Sequence, residues 1–152
     1  MKYWLMKSEP ESYSIDDMKR DGTAPWEGVR NYQARNFMRE EMAKGDQVLF
    51  YHSNAEPTGV AGLVEVAGAA KPDESATNHK SPYFDPDSEA EEPTWYCVPV
   101  KFKKKFKRIV TLEEIKTNKK LAKMLLIKKG TRLSVQPVSK EEFEVILALA
   151  EQ

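Results

Sequence analysis

The side chains that most often carry out chemistry are scarce in this chain. His52 and His79 are its only imidazoles, and Cys97 is its only thiol. No HExxH, GxSxG, GxxxxGK[ST] or CxxC pattern occurs, so none of the usual zinc, acyl-transfer, nucleotide or redox sites is spelled out. Cys97 lies among apolar neighbours in a strand-like stretch and reads as a buried, inert thiol. Asp85-Pro86-Asp87-Ser88-Glu89 could gather a calcium ion, but it lacks the central glycine and twelfth-position glutamate of a calcium loop. No catalytic site, metal or cofactor is therefore expected.

Residues suited to binding are more plentiful. Trp26 sits between Pro25 and Gly28 in a short polar loop, where a half-exposed indole makes a stacking surface. The same indole could equally plug the edge of a sheet. Arg30 and Asn31 follow at once. Asn31 reads as a helix cap, and a capped helix start leaves backbone N–H groups that welcome anions. Arg35 lies one turn further on. Tyr51, His52 and Ser53 end a strand, where a sheet commonly presents its functional groups. Ser134 and Gln136 alternate with Leu133 and Val135, so both point to one side of their strand, either a solvent face or a site. Pro137 places that strand at an edge or an end.

The charge is balanced overall but unevenly spread. Residues 1–100 hold 10 basic and 18 acidic side chains, and residues 101–132 hold 13 basic and 2 acidic. Such a block is either an electrostatic footprint for phosphate or a solvated face balanced by acidic loops. The 152 residues suit one domain, 1–152, with a real core. No apolar run is long enough to span a membrane, and the start lacks the apolar stretch of a secretory signal. With a single cysteine, these features point to the cytoplasm, or to the nucleus in a eukaryote.

The elements that must position these residues follow from periodicity. Tyr3–Met6 reads as a buried strand, and Ser14 with Asp17 opens a short helix that Gly22 ends. Asn31 opens a helix to about Met42, with Ala34, Phe37 and Met38 on its buried stripe. Gln47–Ser53 and Gly59–Val66 alternate as strands. Residues 71–94 hold four prolines and seven acidic residues, a long irregular loop. Trp95–Phe102 returns to strand alternation. Thr111 with Glu114 and Ser139 with Glu142 are capping boxes, Lys119–Leu125 reads as a short helix, and Arg132–Val138 as a strand. The order predicts an α+β fold, a curved mixed sheet or partly closed barrel with flanking helices.

Taken together, several segments resemble the EVE family, a branch of the PUA-like folds related to the YTH readers of modified bases. They are Trp4–Pro10, Trp26–Asn36, Tyr51-His52-Ser53, Gly59–Gly62, the surroundings of Tyr83-Phe84-Asp85 and of Trp95, and Arg132–Val138. The resemblance spans essentially the whole chain, and Trp26–Asn36 and Arg132–Val138 are long enough to be specific. It implies a PUA-like barrel-type sheet with one central pocket. It also implies a non-enzymatic, monomeric module that reads a flipped base in DNA or RNA, such as methylated or hydroxymethylated cytosine. Trp26 would be one stacking wall, with Tyr32 or Tyr51 a second. Ser8, Asn31, Ser53, Ser134 and Gln136 would read the base edge, with His52 and backbone near Pro137 beside them. Arg30, Arg35, Lys101, Lys103, Lys104, Lys105, Lys107 and Arg108 would hold phosphate. Two alternatives stay open: a hydrolase of modified nucleosides using Lys7 and Glu9, or a sensor taking a small planar or anionic ligand in the same pocket.

Overall fold

The computed structural model describes all residues, Met1–Gln152. β1 (Tyr3–Ser8) pairs in parallel with β3 (Gln47–His52) and antiparallel with β8 (Val135–Val138). β3 continues antiparallel to β4 (Gly59–Val66), β4 to β7 (Pro99–Thr111), and β7 to the three-residue β2 (Thr23–Pro25). The resulting order is β2-β7-β4-β3-β1-β8, a six-stranded sheet curled into a half-barrel. Register shifts at Phe50/Tyr51 and at two points between β4 and β7 supply the bending that an unbroken ladder resists. Gly62 sits at one of them. A side chain there would meet the Lys104 carbonyl at 2.5 Å and the Ile15 side chain at 2.6 Å. Both edge strands are short, and each contains a proline, Pro25 or Pro137.

Both faces of the sheet are covered, which is why β1 and β3 read as nearly continuous apolar runs. On one face Trp4, Met6, Val48, Phe50 and Val64 meet α1 (Ile15–Asp21), Trp26 and Ala34. On the other, Leu5, Leu49, Tyr51 and Val60 meet Ile115, Leu121 and Met124. They also meet Phe143 and Ile146 of α4 (Lys140–Ala150). Truncating a fully buried residue such as Leu49 to alanine would cost about 2–5 kcal/mol.

Four helix starts use the caps the sequence announces. Ser14, Thr111 and Ser139 each form a reciprocal box with the carboxylate three residues on, opening α1, α3 (Leu112–Thr117) and α4. Asn31 Oδ1 accepts from the Ala34 N–H at 2.9 Å and opens α2 (Tyr32–Asn36). Here the structure departs from the predicted single helix. The chain widens into a π turn over Phe37–Glu41, closed by the Met42 N–H on the Phe37 carbonyl. The helix expected over 119–125 is instead two 3₁₀ turns, Lys119–Leu121 and Leu125–Ile127. β7 runs through the lysine block to Thr111, well past the predicted end at Phe102. The last strand begins at Val135, three residues later than predicted. Two short strands, β5 (Lys71–Pro72) and β6 (Tyr96–Cys97), pair with each other and pin the base of the long loop.

Candidate nucleic-acid interface

The parallel pair β1 and β3 ends at one rim of the sheet, and the chain leaves both strands there. A cavity of about 700 Å³ opens at that rim. Its walls come from the end of β1 (Lys7, Ser8, Glu9), the chain around α1 (Ser12, Tyr13, Asp21), the loop Ala24–Val29, and three single residues, Ser53, Tyr83 and Ser134.

Trp26 is the fixed wall. Its backbone N–H donates to the Val98 carbonyl at 2.9 Å, and its ring meets Phe50 edge-on at 5.3 Å. Only 8% of the residue is exposed, so it is a core residue that also lines the cavity rather than a loosely held loop indole. Tyr83, 38% exposed and carried by the long loop, is a second aromatic in the lining, with Tyr13 a third. The Tyr83 ring rests directly over Gly28. A Cβ at Gly28 would lie 2.6 Å from the Tyr83 ring, and Gly28 has φ +87°, which disfavours any side chain.

The polar lining is mostly acceptor. Ser8 Oγ donates to the Tyr13 carbonyl at 2.6 Å, leaving its oxygen free to accept. Glu9 takes a hydrogen bond from Asn54 Nδ2, and Asp21 takes one from the Tyr13 hydroxyl. The Glu27 carboxylate makes no hydrogen bond or ion pair. Partial burial, then the nearby Asp73 and Glu74 charges, raise its pKa. Lys7 is the only cation in the lining. Its Nζ lies 5.9 Å from the Tyr51 ring centre, and burial lowers its pKa.

Of the residues the sequence nominated, Ser8, Trp26, Ser53 and Ser134 are brought together here. The others lie elsewhere for identifiable reasons. Arg30 turns away to grip the long loop. Its guanidinium donates to Asp73 Oδ2 at 3.0 Å and to the Tyr83 carbonyl at 2.7 Å, and it lies over the Trp95 ring. Burial alone would push the Asp73 carboxyl up. Hydrogen bonds from Ser75 Oγ, the Gly28 N–H and Arg30 outweigh it and hold the pKa low. Arg35 donates to the Thr94 carbonyl at 2.9 Å, and Tyr32, 61% exposed, stacks on Trp95 at 5.0 Å. Asn31 is occupied as the cap of α2. Tyr51 is buried in the core beside α4. His52 is also buried. Its Nε2 accepts from the Ile15 N–H at 3.1 Å, and burial lowers its pKa, favouring the neutral form this bond needs. Gln136 is 1% exposed. It donates to the Leu133 carbonyl, while its Oε1 has no partner. Pro137 lies on the edge strand beside Trp4.

Five of the six β7 cations are already paired. Glu65 bridges Lys101 and Lys103, Lys104 meets Glu151, Lys105 meets Asp16, and Arg108 forks onto Glu114. The hydrogen bond from Lys101, with help from Gln47, holds the Glu65 carboxyl down to about 2. The acidic stretch considered for calcium has a structural task. Asp85 accepts from Trp95 Nε1 at 2.7 Å and from the Asp87 N–H. No group of three or more His, Cys, Asp or Glu is placed to hold a metal. Burial pushes the Cys97 thiol up to about 12, as its inert reading requires.

Sequence reasoning missed Glu27, Gly28 and Tyr83. The first two adjoin Trp26 in one loop. Tyr83 lay in a segment that resembles the family, but the sequence alone assigned it no role in the site.

A curled mixed sheet with an aromatic-lined cavity at one rim defines a small α+β module with one candidate binding site. The EVE domain model matches residues 2–149, and the chain belongs to the EVE family. It is 44% identical over 167 residues to thymocyte nuclear protein 1 of Mus musculus, covering 98% of this chain and 74% of that protein. A hypothetical protein from Leishmania major has the same fold, with TM-score 0.96, 50% identity and coverage of 99% and 95%. The human THYN1 protein, solved in complex with DNA containing 5-methylcytosine, superposes with TM-score 0.91 at 40% identity, covering 100% and 99%. No helix of this chain is long and apolar enough to cross a membrane.

Proposed function

We propose that this chain binds nucleic acid and takes one modified base, flipped out of its strand, into the cavity between Trp26 and Tyr83. The observation that carries this reading is the cavity, with Trp26 and Tyr83 and several hydrogen-bonding side chains in one lining. Its volume falls in the usual range for small-ligand sites. The human relative solved with 5-methylcytosine DNA supports the same reading. Extruding a base costs a few kcal/mol, and stacking returns about 1–3 kcal/mol per base, so two aromatic walls can offset the extrusion. In this reading Trp26 and Tyr83 sandwich the ring, and Ser8, Ser53, Ser134 and Glu27 address its edge. Arg30, Tyr32 and Arg35 act one step removed, by holding the loop that carries Tyr83.

The lining also narrows the class of base. Ionised carboxylates only accept hydrogen bonds. Asp21 is already engaged by Arg20 and the Tyr13 hydroxyl, so Glu9 and Glu27 favour an edge that donates, such as the exocyclic amine of cytosine or adenine. The same two carboxylates set the cavity against a small free anion. One buried methyl contributes about 0.8 kcal/mol, roughly fourfold in affinity, so stronger selectivity needs a close-fitting wall.

Fluorescence anisotropy with DNA duplexes carrying one 5-methylcytosine, 5-hydroxymethylcytosine or N6-methyladenine tests the proposal. The expected result is preference for a modified cytosine by about fourfold or more over the plain duplex. Equal, weak binding to all of them would sink it.

A second reading, hydrolysis of a modified nucleoside, has one observation behind it. Lys7 is a half-buried amine in the cavity with its pKa lowered by burial and no carboxylate in ion-pair reach. Incubating modified nucleosides with the protein and weighing the products by mass spectrometry decides it. Unchanged masses remove this reading.

A further inference from the structure

The cavity has three carboxylates and one lysine, so the phosphates that flank a bound base must be held outside it. The β7 lysines are poorly placed for that task, because acidic partners already answer five of the six cations on that strand. The molecule has a second basic run. From Ile115 to Lys140 there is no aspartate or glutamate. Residues 116–132 carry seven cations, all exposed, and none has an ion-pair partner. The fold explains their exposure. Leu121, Met124 and Leu126 of this stretch are buried in the core under α4, which leaves the lysines between and beyond them in water.

This run leads directly into the cavity. Arg132 lies two residues before Ser134, at most about 7 Å along the chain. Ser134 lines the cavity and accepts the Lys7 N–H at 2.8 Å. Lys129 and Lys128 follow within at most about 18 and 22 Å of chain from Ser134, and the lysines at 116–123 lie further back along the chain.

We infer that residues 116–132 seat the phosphodiester backbone of the nucleic acid, with Lys128, Lys129 and Arg132 holding the phosphates nearest the cavity. The identity of the polymer rests on the base-reading proposal; the unpaired surface does not. The division of labour is physical. A cation with a fixed carboxylate neighbour must lose that partner, or share it, before meeting a phosphate. A solvated lysine only releases counterions.

The test is the salt dependence of binding to a labelled DNA duplex carrying one 5-methylcytosine, and to its unmodified twin. Each neutralised phosphate contact lowers the slope of log K against log salt by about 0.9. The variant K128Q/K129Q/R132Q is expected to lose about 2–3 from the slope while keeping the wild-type preference between the two duplexes. The variant K101Q/K103Q/K105Q is expected to lose less than about 1. A wild-type slope in the first variant overturns the inference, as does an equal or greater loss in the second. Absence of salt-dependent DNA binding by the wild type also overturns it, as does capture by phosphatidylserine vesicles in place of DNA. Equal affinity for both duplexes with a slope that still depends on residues 128–132 would instead remove base reading and leave the phosphate seat standing.

Discussion

Residues 26–29 and residues 30–35 are adjacent in the chain and face different ways. Trp26, Glu27, Gly28 and Val29 line the cavity. Arg30, Tyr32 and Arg35 reach outward to Asp73, Tyr83, Trp95 and Thr94, 43 to 63 positions along the chain. The first set would touch a ligand. The second holds a loop that has little regular structure of its own. Tyr83 joins the two, because its carbonyl is gripped by Arg30 and its ring sits on Gly28. One stretch of sequence thus builds one wall of the cavity and fixes the part that carries the other wall.

The sharpest way to break this division is Trp26→Ala. Removing a buried indole costs about 3–5 kcal/mol, and base binding should vanish with it. Trp26→Phe keeps an aromatic wall and should retain most of the stability but only part of the affinity. Calorimetric melts beside anisotropy titrations check both. If Trp26→Ala binds modified duplexes like the wild type, Trp26 is no wall.

Arg30→Lys comes next, on the other side of the comparison. Lysine cannot reproduce the planar fork that meets Asp73 and Tyr83 together. Asp73 is fully buried, and Arg30 is mostly so, which predicts a loss of about 2–3 kcal/mol. The loop should become open to proteolysis between residues 77 and 93, and base affinity should fall because Tyr83 is no longer held. A variant with a wild-type cleavage pattern would show that the clamp is dispensable.

Gly28→Ala should cost about 1–2 kcal/mol from its positive φ, and more from collision with Tyr83. The double variant with Tyr83→Ala separates the two causes. Truncating Tyr83 should recover the steric part and leave the backbone part. Simple additivity of the two stability losses would mean that the ring does not rest on Gly28.

Glu27→Gln should have the smallest effect, visible in its pH dependence. A carboxyl whose pKa is raised by folding is penalised once it ionises, so the penalty is absent below the ordinary value near 4.5 and grows as pH rises above it. The variant should match the wild type at pH 4 and melt higher at pH 7. A gap that widens toward acid reverses the sign and rejects the proposed environment.

Local signals were legible in the sequence. Ser14, Asn31, Thr111 and Ser139 cap where their side chains say they should, because a cap is settled within four residues. Strand faces followed from alternation in β3, but not in β4, where Val60 lies on the opposite face from Val64 and Val66 across the register shift at Gly62. Partnerships at long range were hidden. Nothing near Arg30 says that Asp73 waits 43 residues on. The span of β7 was hidden as well. A lysine-rich run reads as solvated chain, yet β7 continues through it, with Lys104 and Lys105 opposite Leu63 and Gly62 while Phe106 turns inward. The π turn was equally invisible, since Ala34, Phe37 and Met38 fit an ordinary helical stripe. For Gln136, the sequence showed the side it faces but not how far along the strand water stops.

The two outer strands of the sheet have a consequence for crowded conditions. An unpaired strand edge is a template on which another chain can polymerise. Here each outer strand is three or four residues long and carries a proline that cannot donate a backbone hydrogen bond, and beyond Lys101 the uncovered length of β7 is rich in lysine. A sheet with so much apolar surface on both faces could otherwise seed fibrils whenever a neighbour approached in register. Pro25 and Pro137, with the like charges of the lysines along β7, deny such a neighbour a ladder to climb, so concentrated solutions of the folded protein should stay free of cross-β growth.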